Sequence, residues 1–345
     1  MRRNQIEARE RAIQRGIRFI YGAACDAKTF AAYGFDLLCC FSLIASTSTD
    51  SRLRKLAYEM GSERARRWRK EHRALPSGAD PKTITDFIDA TVSADKLGVR
   101  DGALKARIRQ AARNFTVHDF LGFDPSVESP PGDLPKRCRC GARNLRGRKS
   151  CKKCKRRLQM QSRYETWMQA LYRGYRNERS GVMLGTRYAD AIRWLPEMRP
   201  YCAAESGMDE DFYDSVYAVT HVVYTLNDYG RFRLSPRWLP HEFEFLKDNL
   251  ESAISMDDPE MAGEFLDTLK AFGVNDENPL IQKCSDYLLS RQNSDGSWGD
   301  VNADDVYNRY HPTWTAIDGL RDYAWRGERL SFPKLKPLLE QWGAT

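Results

Sequence analysis

The stretch CSDYLLSRQNSDGSWGD, from Cys284 to Asp300, combines a helical run with an unusual turn. The apolar spacing of its first half predicts a helix that ends near Gln292. The Asn, Ser, Asp and Gly residues that follow predict a turn. The turn also contains Trp298, a large side chain that a solvent-exposed turn does not need. The order of helices along the rest of the chain supplies a reason for this tryptophan.

Helical periods recur along the chain, whereas strand-like alternation is nearly absent. Twelve helices are predicted, near residues 5–24, 28–46, 51–72, 82–97, 102–115, 162–177, 187–196, 211–229, 241–255, 258–272, 278–291 and 311–326. A short helix near 333–341 follows them. Twelve helices make six hairpins, which favour an all-α fold of the (α/α)6 toroid type, with six inner helices around a cavity. A superhelix of hairpins is the competing arrangement.

Residues 283–298, with the pattern KCxxYLxxxQxxxGxW, resemble the QW repeat of squalene and oxidosqualene cyclases. Cys284 departs from the pattern, because that family prefers Gly or Ala there. The resemblance implies that Gln292 binds backbone at the start of the next helix and that Trp298 stacks across the turn. The tryptophan would then hold one hairpin against the next. The resemblance supports the toroid fold, but a fold does not determine a reaction.

The following segment, RYHPTWTAIDGL (Arg309–Leu320), resembles an inner helix of protein prenyltransferase β subunits. In that family a histidine at the position of His311 binds catalytic zinc. Together the two resemblances cover roughly residues 278–326. The acid motif of class II cyclases, Asp-x-Asp-Asp, has its nearest match in NADD (302–305), where the first carboxylate is missing. The sequence DDPE (257–260) likewise lacks the fifth-position acid of a diphosphate-binding motif.

The overall composition is typical of a soluble globular protein. Of the 345 residues, 41% are hydrophobic and 11% are aromatic, which is enough for a sizeable core. The charged N-terminus does not resemble a signal peptide, and the longest apolar run, Leu37–Ala45, is too short to span a bilayer. We therefore expect a cytoplasmic protein without a membrane span. Cys39 and Cys40 lie within that apolar run and are expected to pack in the core.

The positive charge of the chain is local. Residues 136–157 contain twelve Lys or Arg and no acid, and without them the formal charge of +8 becomes about −4. A nucleic-acid surface spread over the whole chain is therefore not indicated.

A zinc site is predicted within this basic segment. Four of the nine cysteines form a CxC pair and a CxxC pair, at Cys138, Cys140, Cys151 and Cys154. This spacing is typical of a four-cysteine Zn²⁺ site, and the surrounding cations help to keep the sulfurs ionised. The CxC half is tight and must bend sharply. We expect the zinc to be structural.

The zinc ribbon is expected to be an insertion between two halves of the helical domain. Residues 126–160 form a proline-rich linker and the ribbon, while residues 1–125 and 161–345 form the N-terminal and C-terminal halves of the toroid. Nucleic acid or an acidic partner can also dock on residues 136–157 through phosphate or carboxylate contacts. The segment contains no aromatic residue to stack on bases, which argues against readout of single strands.

Three predicted helices each carry a stripe of polar and aromatic residues, because positions seven apart nearly superpose on a helix. In helix 211–229 the stripe is Asp214, Tyr217, His221, Tyr224 and Asp228. In helix 258–272 it is Glu260, Glu264 and Asp267. In helix 311–326 it is His311, Trp314, Asp318 and Trp325. A solvated face is the alternative for the acidic stripe, but Tyr, Trp and His favour the wall of a ligand cavity.

These stripes predict a second metal site in the cavity. By the prenyltransferase resemblance, His311 stands at the histidine position, Asp258 at the aspartate position and Glu260 where the cysteine would be. Both His311 and Asp258 precede a proline, which predicts that each begins its helix. The candidate ligands are His221, His311, Asp214, Asp258 and Glu264. Such a set suits Zn²⁺ or Fe²⁺.

The candidate catalytic residues lie beside this second metal. They are Tyr217 and Tyr224, as proton donors or aromatic wall, and Asp318. Together with the metal they would act on a substrate bound in the cavity.

Three functions are compatible with these features. The first is a metal-dependent enzyme of the terpenoid cyclase and prenyltransferase-like toroid type, acting on a small apolar molecule or a peptide. The second is a nucleic-acid-associated protein that uses the basic zinc ribbon. The third is a helical scaffold that binds a protein partner. No nucleotide-binding loop or serine elbow is present in the sequence.

Overall fold

The computed structural model describes residues 3–204 and 210–344, and these are mostly helical, as predicted. The helices are α1 (Arg3–Cys25), α2 (Ala27–Thr47), α3 (Ser51–Glu71), α4 (Pro81–Lys96), α5 (Gly102–Ala112), α6 (Val117–Leu121), α7 (Arg163–Ser180), α8 (Tyr188–Ile192), α9 (Leu195–Met198), α10 (Glu210–Leu226), α11 (Pro240–Ser255), α12 (Pro259–Ala271), α13 (Pro279–Ser290), α14 (Tyr307–Leu320) and α15 (Lys336–Gly343). Two short strands, β1 (Leu134–Pro135) and β2 (Met160–Gln161), pair antiparallel between α6 and α7.

The chain divides into two compact units. Unit 1 comprises residues 1–75, 89–104 and 226–345, and unit 2 comprises residues 76–88 and 105–225. The cysteine-containing segment belongs to unit 2. Helices from both ends of the chain pack together in unit 1.

Within unit 1, helical hairpins that are distant in sequence are neighbours in space. Helix α14 packs against α12, α13, α1 and α2, so it contacts helices from both ends of the chain. Helix α12 packs in turn against α11 and α13, and α1 packs against α2, α3 and α13. The hairpins α11/α12, α13/α14 and α1/α2 therefore pack as a series.

The turn after α13 fastens this hairpin to α1. Gln292 donates its Nε2 to the backbone carbonyl of Ala12, at 2.8 Å. Trp298 is fully buried, and its indole N–H donates to the carbonyl of Leu288 at 2.7 Å. A Cβ placed on Gly16 of α1 would lie 2.9 Å from the indole ring. The tryptophan thus has a structural partner, namely a helix from the other end of the chain.

Helices α12 and α14 cross at two glycines. A Cβ on Gly263 would lie 2.6 Å from the backbone of Thr315, and a Cβ on Gly319 would lie 2.8 Å from the carbonyl oxygen of Gly263. Atoms in a close-packed interior cannot approach so closely, so any larger residue would push the helices apart. This crossing holds the acidic stripe of α12 beside the stripe of α14.

The start of α14 differs from the prediction. The helix begins at Tyr307, whose N–H bonds to Oδ1 of Asp305 at 3.0 Å, and Pro312 lies inside it. The expectation that His311 begins the helix is therefore wrong. Proline favours the first helical turn, but it can also occupy an interior position with the loss of one hydrogen bond. By contrast, α12 does begin at Pro259, directly after Asp258.

The end of α14 also differs from the prediction. The helix ends at Leu320, and the residues that follow run beside the segment after α2, with Ser48 and Tyr323 forming an antiparallel bridge. Trp325 is therefore outside the helix and does not extend its stripe. Backbone pairing replaces the helix here: the N–H of Ala324 donates to the carbonyl of Thr47 at 2.7 Å.

Helix α2 is the apolar helix of the N-terminal hairpin. Among the described residues, it alone is long and apolar enough to cross a membrane by length and composition, and 61% of its most apolar window is buried inside the protein. A buried core helix passes the same test. Cys39 and Cys40 are both buried, as expected.

Candidate functional site

The four predicted zinc ligands come together in unit 2. Their Sγ atoms, from Cys138, Cys140, Cys151 and Cys154, all lie within 4.8 Å of one another. The Cys138–Cys154 and Cys140–Cys151 sulfur distances are 3.4 and 3.5 Å. A tetrahedral ion with bonds of about 2.3 Å places its sulfurs about 3.8 Å apart, so the spacing fits Zn²⁺. The cluster can hold a metal ion, and zinc stays the predicted one.

Two tight turns bring these cysteines together. In the CxC half, the N–H of Gly141 donates to the carbonyl of Cys138 at 2.8 Å, which makes the sharp bend that this spacing requires. In the CxxC half, the N–H of Lys155 donates to the carbonyl of Cys151 at 3.0 Å. The backbone N–H of Cys154 lowers the pKa of Cys151 to about 6. A thiol that ionises this readily is well suited to bind a metal.

The five predicted ligands of a second metal do not form a comparable cluster. Within residues 3–204 and 210–344, the four cysteines are the one group of three or more potential ligands that lies this close together. Asp258 instead caps α12, because its Oδ1 accepts the N–H groups of Glu260 and Met261, both at 3.0 Å. The second metal remains a prediction from the sequence alone.

Helix α10 of unit 2 carries two of those predicted ligands. Its apolar side is buried, and its other side leaves four residues partly exposed, namely Asp214, Tyr217, His221 and Tyr224. The ring of His221 donates through Nδ1 to the carbonyl of Tyr217 at 2.8 Å and meets Tyr224 edge to face. Asp228 follows the end of the helix, so the stripe is one residue shorter than predicted.

The stripes of α12 and α14 do meet, in unit 1. Nδ1 of His311 lies 3.0 Å from Oε1 of Glu260, and each of these side chains is 18% exposed. Burial lowers the pKa of His311, but the negative charges of Glu260, Asp36 and Glu264 outweigh it and raise that pKa to about 9. The imidazole is therefore held in its protonated form at neutral pH. The interpretation of the α12 stripe as a solvated face is wrong for Glu264 and Asp267, since both are buried.

Aromatic rings surround this ion pair. Tyr307 stacks on His311 with ring centroids 4.8 Å apart, and Trp314 meets the same ring edge to face at 5.8 Å. Tyr33 of α2 lies 5.7 Å from Tyr307 and 5.6 Å from Tyr310. The position of Tyr33 shows that α2 contributes to the same surface as α14.

A carboxylate from α2 completes this group. The hydroxyl of Tyr310 donates to Oδ2 of Asp36 at 2.9 Å, which ties α14 to α2. Burial and the charge of Asp36 raise the pKa of Tyr310, so its hydroxyl stays protonated. Asp36 is itself partly exposed.

A second polar group lies at the end of α14. Arg321 is buried and donates its Nε to Oδ1 of Asp318 at 2.6 Å, and its guanidinium lies 3.8 Å from the ring centroid of Tyr323. Burial raises the pKa of Asp318, while the positive charge of Arg321 opposes the shift. Asp267 is 5% exposed, and burial together with the charge of Asp318 raises its pKa to about 7. Near neutrality Asp267 therefore exchanges between carboxylic acid and carboxylate.

We call these two groups together the polar–aromatic site. Its members are Tyr33, Asp36, Glu260, Glu264, Asp267, Tyr307, Tyr310, His311, Trp314, Asp318, Arg321 and Tyr323. Seven of them are partly exposed: Tyr33, Asp36, Glu260, Tyr307, His311, Trp314 and Asp318. Five carboxyl groups face two cations, so the site carries excess negative charge.

The contributions of α2 and of the first turn of α14 to this site were not predicted from the sequence. Tyr33 and Asp36 lie in a helix that was interpreted from its apolar run alone, although their spacing of three places them on one face. Tyr307 and Tyr310 were missed because Pro312 placed the helix start too late. An acidic residue two positions before Tyr307, namely Asp305, is the signal that marks the true start.

Comparisons with family models, with curated proteins and with solved structures found no match for this chain.

Proposed function

We propose that this protein is an enzyme that transfers a proton to or from a small, largely apolar substrate at the polar–aromatic site. The observation that carries the proposal is the ion pair of His311 and Glu260, which is partly exposed and surrounded by aromatic rings. A purely structural ion pair needs no opening to solvent. A perturbed, reachable acid–base pair beside an apolar wall is typical of a reactive centre.

The excess of carboxylates suggests the kind of substrate. Aromatic faces and carboxylates both attract positive charge, and the described cations at this site, His311 and Arg321, already have acidic partners. We therefore expect a substrate that carries a positive charge or develops one during the reaction. Rings of Tyr307 and Trp314 would hold its apolar part.

The roles follow from the contacts. His311 holds a proton that it can give to the substrate, and Glu260 stabilises the imidazolium before the transfer. When the proton leaves, the imidazole becomes neutral and the substrate gains the positive charge. Asp36 and Asp318 are partly exposed and can stabilise that charge. Asp267, whose pKa is raised by burial and by the charge of Asp318 to about 7, can accept or release a proton near neutral pH.

A pair of probes with the same shape tests the preference for positive charge. Choline and its uncharged isostere 3,3-dimethylbutan-1-ol are titrated separately and followed by ligand-observed NMR. We expect choline to bind about tenfold more tightly, since a cation over aromatic rings gains about 1–2 kcal/mol. The double variant Glu260→Gln/Asp36→Asn should lose this preference. The control is Glu59→Gln on α3, which changes an exposed carboxylate elsewhere and should keep it.

Proton transfer itself is tested without knowledge of the substrate. The protein is incubated in D₂O with a small-molecule extract of cells that produce it, and compounds are analysed by mass spectrometry. We expect compounds that gain deuterium or change mass with the wild type and with Glu59→Gln, but not with His311→Gln. Circular dichroism checks that His311→Gln stays folded. If His311→Gln and the wild type give the same spectra, the scaffold hypothesis replaces the enzyme.

A further inference from the structure

The zinc ribbon exposes a group of cations that no acid in the described part of the chain pairs with. Of the twelve basic residues in 136–157, eight have exposed side chains that make neither an ion pair nor a side-chain hydrogen bond with any described residue. We call these eight the basic surface: Arg139, Arg148, Lys149, Lys152, Lys153, Lys155, Arg156 and Arg157. They occupy 19 consecutive positions that contain no acid.

The other four basic residues have a different role. Lys136 pairs with Glu165 at 2.8 Å, and Arg146 pairs with Asp133 at 3.0 Å. Arg137 pairs with Asp80 at 3.4 Å. Arg143 makes no such pair but donates to the backbone carbonyl of His118. These contacts anchor the ribbon to neighbouring segments of unit 2. The twelve cations therefore divide into four that contact other described residues and the eight of the basic surface.

The metal site brings several residues of the basic surface close together. Arg139, Lys152, Lys153 and Lys155 are each next to a cysteine in sequence, and the four sulfurs lie within 4.8 Å of one another. Consecutive Cα atoms are only about 3.8 Å apart, so the cations next to the CxC pair and those next to the CxxC pair are held close together. Their mutual repulsion is unfavourable in the isolated protein, and binding of a polyanion would relieve it.

We propose that the basic surface binds the phosphate backbone of a nucleic-acid duplex without reading its bases. Lys and Arg contacts to phosphates supply affinity that does not depend on sequence. Residues 136–157 contain no aromatic side chain to stack on the bases of a single strand. They also lack the aromatic anchors that dominate protein–protein interfaces, and Leu145 is their one exposed large apolar residue. Duplex phosphate is therefore favoured over a single strand and over an acidic protein.

Fluorescence anisotropy tests this inference with four probes: a 20-base-pair DNA duplex, an RNA duplex of the same sequence, a single strand and poly-glutamate. We expect one or both duplexes to bind most tightly. The plot of log K against log salt should have a slope between about −4 and −7, which corresponds to roughly five to eight phosphate contacts. Tighter binding by DNA or by RNA identifies the source of the duplex.

Matched variants locate the contact. Lys152→Gln/Lys153→Gln should reduce the magnitude of the slope by about 2 and weaken duplex binding about tenfold at 100 mM salt. Lys55→Gln/Lys283→Gln removes the same charge from exposed lysines outside the ribbon and should have little effect. Zinc content and melting temperature show whether the ribbon of the first variant stays folded. Arg148→Gln/Lys149→Gln changes no residue next to a cysteine and is the second test.

Three results would overturn the inference. The first is the absence of duplex binding by the wild type at 50 mM salt. The second is binding of poly-glutamate or of the single strand as tight as that of the duplexes. The third is a loss of binding in the control variant as large as in both ribbon variants.

Discussion

Glu260 of α12 and His311 of α14 form an ion pair across the crossing of two helices, with Oε1 and Nδ1 separated by 3.0 Å. The pair exists because Gly263 allows the helices to approach closely. Its electrostatic environment raises the pKa of His311 to about 9, against an ordinary value of 6.5. The pair therefore connects the packing of unit 1 to its response to pH.

Stability should fall as pH rises through the pKa of His311. A histidine whose folded pKa is raised stabilises the folded state fully below pH 6.5, and this contribution is lost as pH approaches about 9. The loss should be on the order of 2–3 kcal/mol. Urea unfolding of the wild type and Glu260→Gln at pH 6 and pH 9.5 measures it. The variant should lose most of the difference between the two pH values, whereas Glu59→Gln should keep it.

Neutralising the buried acid Asp267 should stabilise the protein at high pH, whereas neutralising Glu260 removes a stabilising ion pair. Its pKa is raised to about 7, so the folded state binds this proton more tightly than the unfolded state. The resulting stabilisation is complete below about pH 4 and is lost as pH rises to about 7. Asp267→Asn removes the buried charge and should be more stable than the wild type at pH 8, by on the order of 2–4 kcal/mol. At pH 4 the two proteins should melt at similar temperatures; a variant that is less stable at pH 8 would refute the raised pKa.

The glycine crossing can be tested with a matched pair of substitutions. Gly263→Ala places a Cβ 2.6 Å from the backbone of Thr315, so it should destabilise the protein by about 1–3 kcal/mol through overpacking. Gly22→Ala is made in α1, where no described atom lies within 4 Å of the new Cβ. That control should be neutral or stabilising by up to about 1 kcal/mol. Thermal melts decide, and equal effects at both sites would contradict the close approach.

The buried indole of Trp298 should be a large contributor to the stability of unit 1. Trp298→Ala removes a fully buried ring and should cost about 3–5 kcal/mol. Trp298→Phe keeps most of the volume and loses the hydrogen bond to the carbonyl of Leu288, so it should cost less than half as much. Chemical unfolding compares them. Equal losses would mean that packing against Gly16 is unimportant.

Metal binding at the ribbon should depend on Cys151 and contribute to stability. Cys151→Ser should lose the bound metal and lower the melting temperature, because site assembly contributes to the free energy of folding. Elemental analysis should give one zinc per wild-type chain. Cys25→Ser changes an exposed cysteine far from the cluster in sequence and should keep both metal and stability. Full zinc content in Cys151→Ser would exclude the four-cysteine assignment.

Local signals in the sequence predicted the helices and the ribbon well. Apolar spacing located nearly all of the long helices, and the spacing of Cys138, Cys140, Cys151 and Cys154 located a cluster that can hold metal. Both depend on residues that are close in sequence. The boundaries of α14 were wrong because Pro312 is compatible with two helical positions, and only backbone pairing at Tyr323 shows where the helix ends.

The polar–aromatic site was predictable only in part. The stripes of α12 and α14 follow from helical periodicity, and the sequence placed Glu260 and His311 on consecutive inner helices. Which stripes meet depends on packing, and no local pattern reveals that Asp36 of α2 approaches Tyr310 of α14 from 274 positions away. The same limit applies to Asp258, whose carboxylate caps a helix. In the sequence, a capping aspartate and a metal-binding aspartate look the same.

The bond between Gln292 and Ala12 has a consequence for the order in which the protein folds during synthesis. These partners are separated by 280 positions, so α1 leaves the ribosome long before its partner exists. At about 5–20 residues per second, that interval is on the order of 15–60 s. The segment 105–225 of unit 2 emerges within it and can fold first. During this interval the apolar helix α2 lacks its contacts with α14. Nascent chains interrupted before residue 292 should therefore aggregate or recruit chaperones.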